Sequence, residues 1–145
     1  MVGKVEQSMQ IEQCLHTAIL VCDLEKAAHF YGEVLGLAKV ERSLKFPGIW
    51  YQVGAYQIHL IVAPTAASTT QNPAIQNSEK WGRNPHIAFA VADLDAAKQK
   101  LLHHNCPIQV SASGRAALFT QDPDGNIIEL SQRSGSREQG VGNRE

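Results

Sequence analysis

His16, His59, His86 and Glu129 occupy matching places in two halves of the chain. Leu15-His16-Thr17-Ala18-Ile19-Leu20-Val21-Cys22-Asp23-Leu24 aligns with Pro85-His86-Ile87-Ala88-Phe89-Ala90-Val91-Ala92-Asp93-Leu94, and at the same offset of seventy residues Ile58-His59-Leu60 aligns with Ile128-Glu129-Leu130. One register thus pairs His16 with His86 and His59 with Glu129. An offset shared by apolar runs, helix starts and polar residues indicates a duplicated supersecondary unit. Imidazole and carboxylate together are a ligand set for a borderline divalent cation: Zn, Ni, Fe(II) or Mn(II). A lone strand histidine is ordinarily solvated or hydrogen-bonded. A carboxylate between Ile128 and Leu130 is harder to excuse, because leaving even a milder polar group buried and unpaired costs roughly 2–7 kcal/mol. The recurrence of all four at corresponding positions favours metal binding.

These residues need strands to carry them and helices to cover the opposite face. Residues 15–22 and 86–92 are apolar and β-rich, and each run ends at an aspartate, Asp23 or Asp93, that can cap a helix. The first helix runs through Leu24, Ala27, Phe30, Tyr31, Val34 and Leu35 and stops at Gly36; the second carries Leu94, Ala97, Leu101 and Leu102 and ends at Asn105 and Pro107. Strands follow near 38–44, 48–53 and 56–62 in the first half. Their counterparts in the second lie near 108–111, 116–121 and 126–132, the last two divided by the turn Asp122-Pro123-Asp124-Gly125-Asn126. The chain is therefore α+β, two βαβββ modules: 12–63 and 85–132, with a linker or lid at 64–84 and a disordered tail at 133–145.

Side chains alternate across a strand. Thr17, Ile19 and Val21 face the helices, as do Ile87, Phe89 and Val91, Ile58 and Leu60, and Ile128 and Leu130. His16, His59, His86 and Glu129 all fall on the other face, beside the small residues Ala18, Ala88 and Ala90. A curved mixed sheet would bring three imidazoles and a carboxylate to one central metal site. Trp50 and Gln52, on the strand next to that of His59, are candidates for substrate contact, and so is Arg115 for a substrate carboxylate or phosphate. Lys80, Trp81 and Arg83 could close over a ligand. His29, His103 and His104 fall on helices and are not counted as ligands.

At 145 residues the chain can bury a core without staples. With 13 basic and 14 acidic side chains it has no field to attract nucleic acid or an anionic membrane. No apolar run approaches a membrane span, and Met1 to Gln10 lacks the halves of a signal peptide. The three cysteines, Cys14, Cys22 and Cys106, sit in or beside apolar strands, which suggests reduced thiols and a cytoplasmic protein.

The runs HTAILVCDLEKAAHFYGEVLGL, PHIAFAVADLDAAKQKL and LFTQDPDGNIIEL resemble the vicinal oxygen chelate superfamily, which includes glyoxalase I, extradiol dioxygenases, methylmalonyl-CoA epimerase, fosfomycin-resistance thiol transferases and bleomycin-binding proteins. The resemblance implies paired βαβββ modules curled around a metal, with His16 and His59 as ligands from the first half and His86 and Glu129 from the second. Glyoxalase I-like members usually carry a carboxylate where this chain has His59. The set His16, His86, Glu129 resembles the two-histidine, one-carboxylate arrangement of extradiol dioxygenases. By this resemblance the chain is a divalent-metal enzyme acting on a small substrate held through vicinal oxygens, by lyase, isomerase or ring-opening dioxygenase chemistry, with Glu129 and His59 as proton carriers as well as ligands. A homodimer is expected, since relatives pair modules within a chain or across two. The alternative is a metal-free module that sequesters a small molecule, as bleomycin-binding relatives do.

Overall fold

Asp23 and Asp93 start the two helices in the same way. Each aspartate is extended, and its carboxylate accepts from the backbone N–H three residues on, Lys26 or Ala96, at 3.1 Å. This satisfies a donor the first helical turn leaves without a partner. The structure, a computed structural model, describes residues 3, 5–42, 45–63 and 77–133. Most of the expected linker and nearly all of the expected tail lie outside the described residues.

The first module runs β1 (His16–Val21), α1 (Leu24–Ala28), β2 (Ala38–Lys39), β3 (Gly48–Val53) and β4 (Tyr56–Val62). The second repeats it as β5 (His86–Val91), α2 (Leu94–His103), β6 (Ile108–Val110), β7 (Ala117–Gln121) and β8 (Ile127–Gln132). Each module forms a four-stranded mixed sheet, in the orders β1-β4-β3-β2 and β5-β8-β7-β6. The strand carrying the first histidine lies parallel to the last strand, and the other pairs are antiparallel. The register repeats as well. Ala18 lies opposite His59 and Ala88 opposite Glu129, so the seventy-residue offset of the sequence holds in space.

Two elements differ from the sequence expectation. The helix begun at Leu24 is α-helical only to Ala28 and then widens to a π-helix over His29–Val34, closed by the bond from Leu35 N to Phe30 O. The wider turn buries the neighbours Phe30 and Tyr31 together, and Gly32 meets the Tyr51 ring, whose hydroxyl is 3.3 Å from where a Cβ would stand. Of the strand expected at 38–44, whose residues 43 and 44 lie outside the described residues, only Ala38–Lys39 is strand among those described, although Val40 N still bonds Trp50 O.

One apolar core serves both modules. It joins Ile19, Val21, Phe30, Tyr31, Ile58 and Leu60 of the first to Leu101, Leu118, Ile128 and Leu130 of the second. The turn at 122–126 ties them with polar bonds: Tyr31 donates to Asp122, the Cys22 N–H donates to the Asp124 carboxylate, and the Asn126 amide reaches the Leu20 carbonyl. No described helix is long and apolar enough to cross a membrane.

Candidate functional site

His86 stands between two acceptors. Its Nδ1 faces the Asn84 carbonyl at 2.6 Å, and its Nε2 faces Glu129 Oε1 at 3.1 Å. A carbonyl only accepts, so Nδ1 carries a hydrogen and Nε2 is the nitrogen offered to the carboxylate. With the Nδ1 hydrogen on the Asn84 carbonyl, the Nε2 lone pair and Glu129 Oε1 face one another, an arrangement that would suit a bound cation. A carbonyl behind Nδ1 is the usual support of a metal-ligating histidine, and the donor set fits a divalent ion. Phe119 packs edge-on against the His86 ring at 5.5 Å.

The other carboxylate oxygen of Glu129 is held by Arg115 Nη1 at 3.1 Å and by the Ser131 hydroxyl at 2.9 Å. Burial pushes the Glu129 carboxyl up, but the bonds from Ser131 and Arg115, the Arg115 charge and the His86 bond outweigh it, and the pKa ends below the usual carboxylate value. Glu129 is thus a stable anion. Arg115, expected to meet a substrate carboxylate or phosphate, contacts Glu129.

In the first module the imidazoles stack. The His59 ring lies 3.8 Å from that of Trp50 at 6° and 4.0 Å from that of His16 at 16°, while the Arg42 guanidinium sits 4.0 Å from the indole centroid. His59 is 7% exposed, and its Nε2 is 2.8 Å from Gln57 Oε1. Burial, then His16 and Arg42, lower its pKa, so the ring is neutral at physiological pH. A ring nitrogen's lone pair lies in its ring plane, and the two nearly parallel planes, with centroids 4.0 Å apart, do not meet at ligand distance. As placed, His16 and His59 therefore do not aim at one ion together.

The four residues expected at one centre thus form two pairs, His16 with His59 and His86 with Glu129. Among the described residues no three His, Cys, Asp or Glu groups gather into a metal-sized cluster. Of the two residues expected to contact substrate, Trp50 stacks on His59, and Gln52 bonds the Gly54 and Tyr56 carbonyls and Gln57. The Trp50 Nε1–H is buried, with no acceptor among the described residues. Of the expected lid, Trp81 begins a 3₁₀ turn, Trp81–Arg83, whose first N–H donates to Gln109 and which packs Gly82 on Phe119. His29 pairs with Glu33 at 3.2 Å. A cavity of about 520 Å³ opens on the helical side between Phe30, Val34, Cys106 and Pro107, remote in the sheet layering from all four candidates.

Gln57, Asn84 and Ser131 were not singled out from the sequence. A signal existed: each stands two residues from a candidate, and in a strand that spacing shares a face.

The family model of the Glyoxalase/Bleomycin resistance protein/Dioxygenase superfamily matches residues 13–130, and the chain belongs to that superfamily. Among relatives, the mitochondrial methylmalonyl-CoA epimerase of Homo sapiens is 29% identical over 129 residues, covering 81% of this chain and 72% of that protein. The lactoylglutathione lyase of Escherichia coli O157:H7 is 27% identical over 134 residues, covering 89% of this chain and 98% of that enzyme. A crystal structure of a protein assigned to the glyoxalase family, from Bacillus anthracis, superposes with a TM-score of 0.68 at 25% identity, over 88% of this chain and all of the other.

Proposed function

We propose that this chain is a divalent-metal-dependent lyase or isomerase that moves a proton at a carbon beside a carbonyl. Its small substrate would be held through vicinal oxygens. The observation that supports this reading is His86, whose Nε2 faces Glu129 Oε1 while the Asn84 carbonyl backs its Nδ1, as half of a metal site would require. The relatives named lactoylglutathione lyase and methylmalonyl-CoA epimerase support lyase or isomerase chemistry over ring-opening oxygenation.

The ligands are His16, His86 and Glu129. When bound, the ion supplies Lewis-acid stabilisation of the oxyanion that forms as the proton leaves. Glu129, held as an anion by Ser131 and Arg115, keeps its charge for ligation. His59 is kept neutral beside His16 and is the proton carrier, which suits general-base work near neutral pH.

The two pairs meet across a homodimer, His16 and His59 of one copy facing His86 and Glu129 of the second. What supports this is the absence of a three-ligand cluster among the described residues of one chain, together with outer edges of β1 and β5 that pair with no strand. Elemental analysis of protein purified without added metal, followed by assay on hemithioacetals and on acyl thioesters with an epimerisable carbon, tests the reading. About one divalent ion per site and turnover of one of these classes is expected. Protein that binds no divalent ion, even on addition, would overturn it.

A further inference from the structure

We infer that Gln52 and Gln57 form a directional relay that holds His59 in its Nε2–H tautomer, leaving the Nδ1 lone pair as the one this ring offers. The direction is set at the far end, by backbone. Gln52 Nε2 lies 2.7 Å from the Gly54 carbonyl and 3.3 Å from the Tyr56 carbonyl. Carbonyl oxygens only accept, so the amide nitrogen of Gln52 must face them, and its oxygen is turned towards Gln57. That oxygen accepts from Gln57 Nε2 at 2.7 Å. Gln57 Oε1 is therefore the atom 2.8 Å from His59 Nε2, and an amide oxygen beside a ring nitrogen requires the hydrogen on the nitrogen. Flipping either amide would set oxygen against oxygen.

The turn that anchors the relay is fixed as well. Gly54 has φ +58, a left-handed conformation that glycine adopts without strain, and this presents its carbonyl to Gln52. The stack of Trp50, His59 and His16 stops the imidazole from turning over, which would set Cε1 in place of Nε2 beside Gln57. The outcome is opposite to that at His86, where the Asn84 carbonyl takes the Nδ1 hydrogen and Nε2 is offered. The two modules thus present different nitrogens from equivalent faces. Gln52 and Gln57 are positioning residues: neither moves a proton.

The tautomer stands on geometry alone, and its service to catalysis rests on the function proposed above. The test is long-range ¹H–¹⁵N correlation NMR on the full, metal-free chain labelled with ¹⁵N-histidine, at about pH 8, above the ordinary imidazole range. The His59 ring, assigned by its loss in His59→Gln, is expected as Nε2–H alone. Gln57→Leu should give a mixture of both tautomers. Gln52→Leu, which leaves Gln57 in place but free to flip, should do so too. Gln57→Glu in the Gln52→Leu background should restore Nε2–H, because both carboxylate oxygens accept. An Nδ1–H ring in the wild-type chain, or a pure Nε2–H ring in both leucine variants, would overturn the relay. Turnover is read separately. If the tautomers behave as expected but Gln57→Leu retains full rate, the relay stands and His59 loses its part in the proposed reaction.

Discussion

The Tyr31 hydroxyl donates to Asp122 at 2.7 Å, joining residues ninety-one positions apart in the chain. Tyr31 is fully buried, and Asp122 also accepts from the backbone N–H groups of Asp124 and Asn126 and from the Asn126 amide. The turn at 122–126 therefore clasps the second module to the first, and the clasp holds the sheets that carry the pairs His16–His59 and His86–Glu129.

Tyr31→Phe removes one donor from a buried carboxylate and should destabilise the protein by about 1–3 kcal/mol. Chemical denaturation measures it. A change within error of zero would show that the clasp contributes nothing to stability.

The same tyrosine predicts an alkaline limb. Burial first, then the Asp122 charge and hydrogen bond, raise the Tyr31 pKa well above its ordinary value. The folded state keeps this proton when the unfolded chain has lost it, so stability is unaffected below the unfolded value of about 10 and falls as pH rises past it. Tyr31→Phe should flatten that limb. If the variant keeps the wild-type slope above pH 10, another group is responsible.

Gly82→Ala should disturb the His86–Glu129 pair, the proposed metal half-site, from a distance. A Cβ at this position would stand 2.6 Å from the Phe119 ring, and Phe119 packs on His86. We expect a loss of about 1–3 kcal/mol from overpacking, together with weaker metal affinity. Unchanged stability and affinity would mean that the 3₁₀ turn yields without moving Phe119.

His59→Ala should keep its metal and lose about 10²–10⁴-fold in turnover. Metal content separates the two roles this residue could have. A variant stripped of metal would make His59 a ligand, against the parallel stacking with His16.

Much of this architecture was legible because the repeat states it twice. The alternation of His16, Ala18 and Leu20 against Thr17, Ile19 and Val21 gave the faces, and Asp23 and Asp93 gave both helix starts. The π-helical turn at His29–Val34 was not legible, since Phe30, Tyr31 and Val34 satisfy an α-helical period nearly as well. Nor was the task of the turn at 122–126: its residues announce a turn, but its partners Tyr31, Cys22 and Leu20 belong to the other module. For the site, strand parity placed four residues on one kind of face and could not say that two sheets of the same chain hold them as separate pairs. Trp50 and Gln52 were found as neighbours of His59, while their work of holding it depends on ring stacking and amide direction, which no spacing encodes.

The claim that one metal ion is held between two copies of the chain is tested most directly by mixing two variants. His16→Ala and Glu129→Ala, each purified alone, should bind little divalent metal. Unfolded together and refolded as a mixture, they form heterodimers in which one site carries both defects and the other carries neither, so metal binding should return to a clear fraction of wild type. Elemental analysis after gel filtration reads this fraction. A mixture that binds no more metal than the two variants apart would contradict a site shared between chains, and single variants that keep full metal would contradict the ligand set itself.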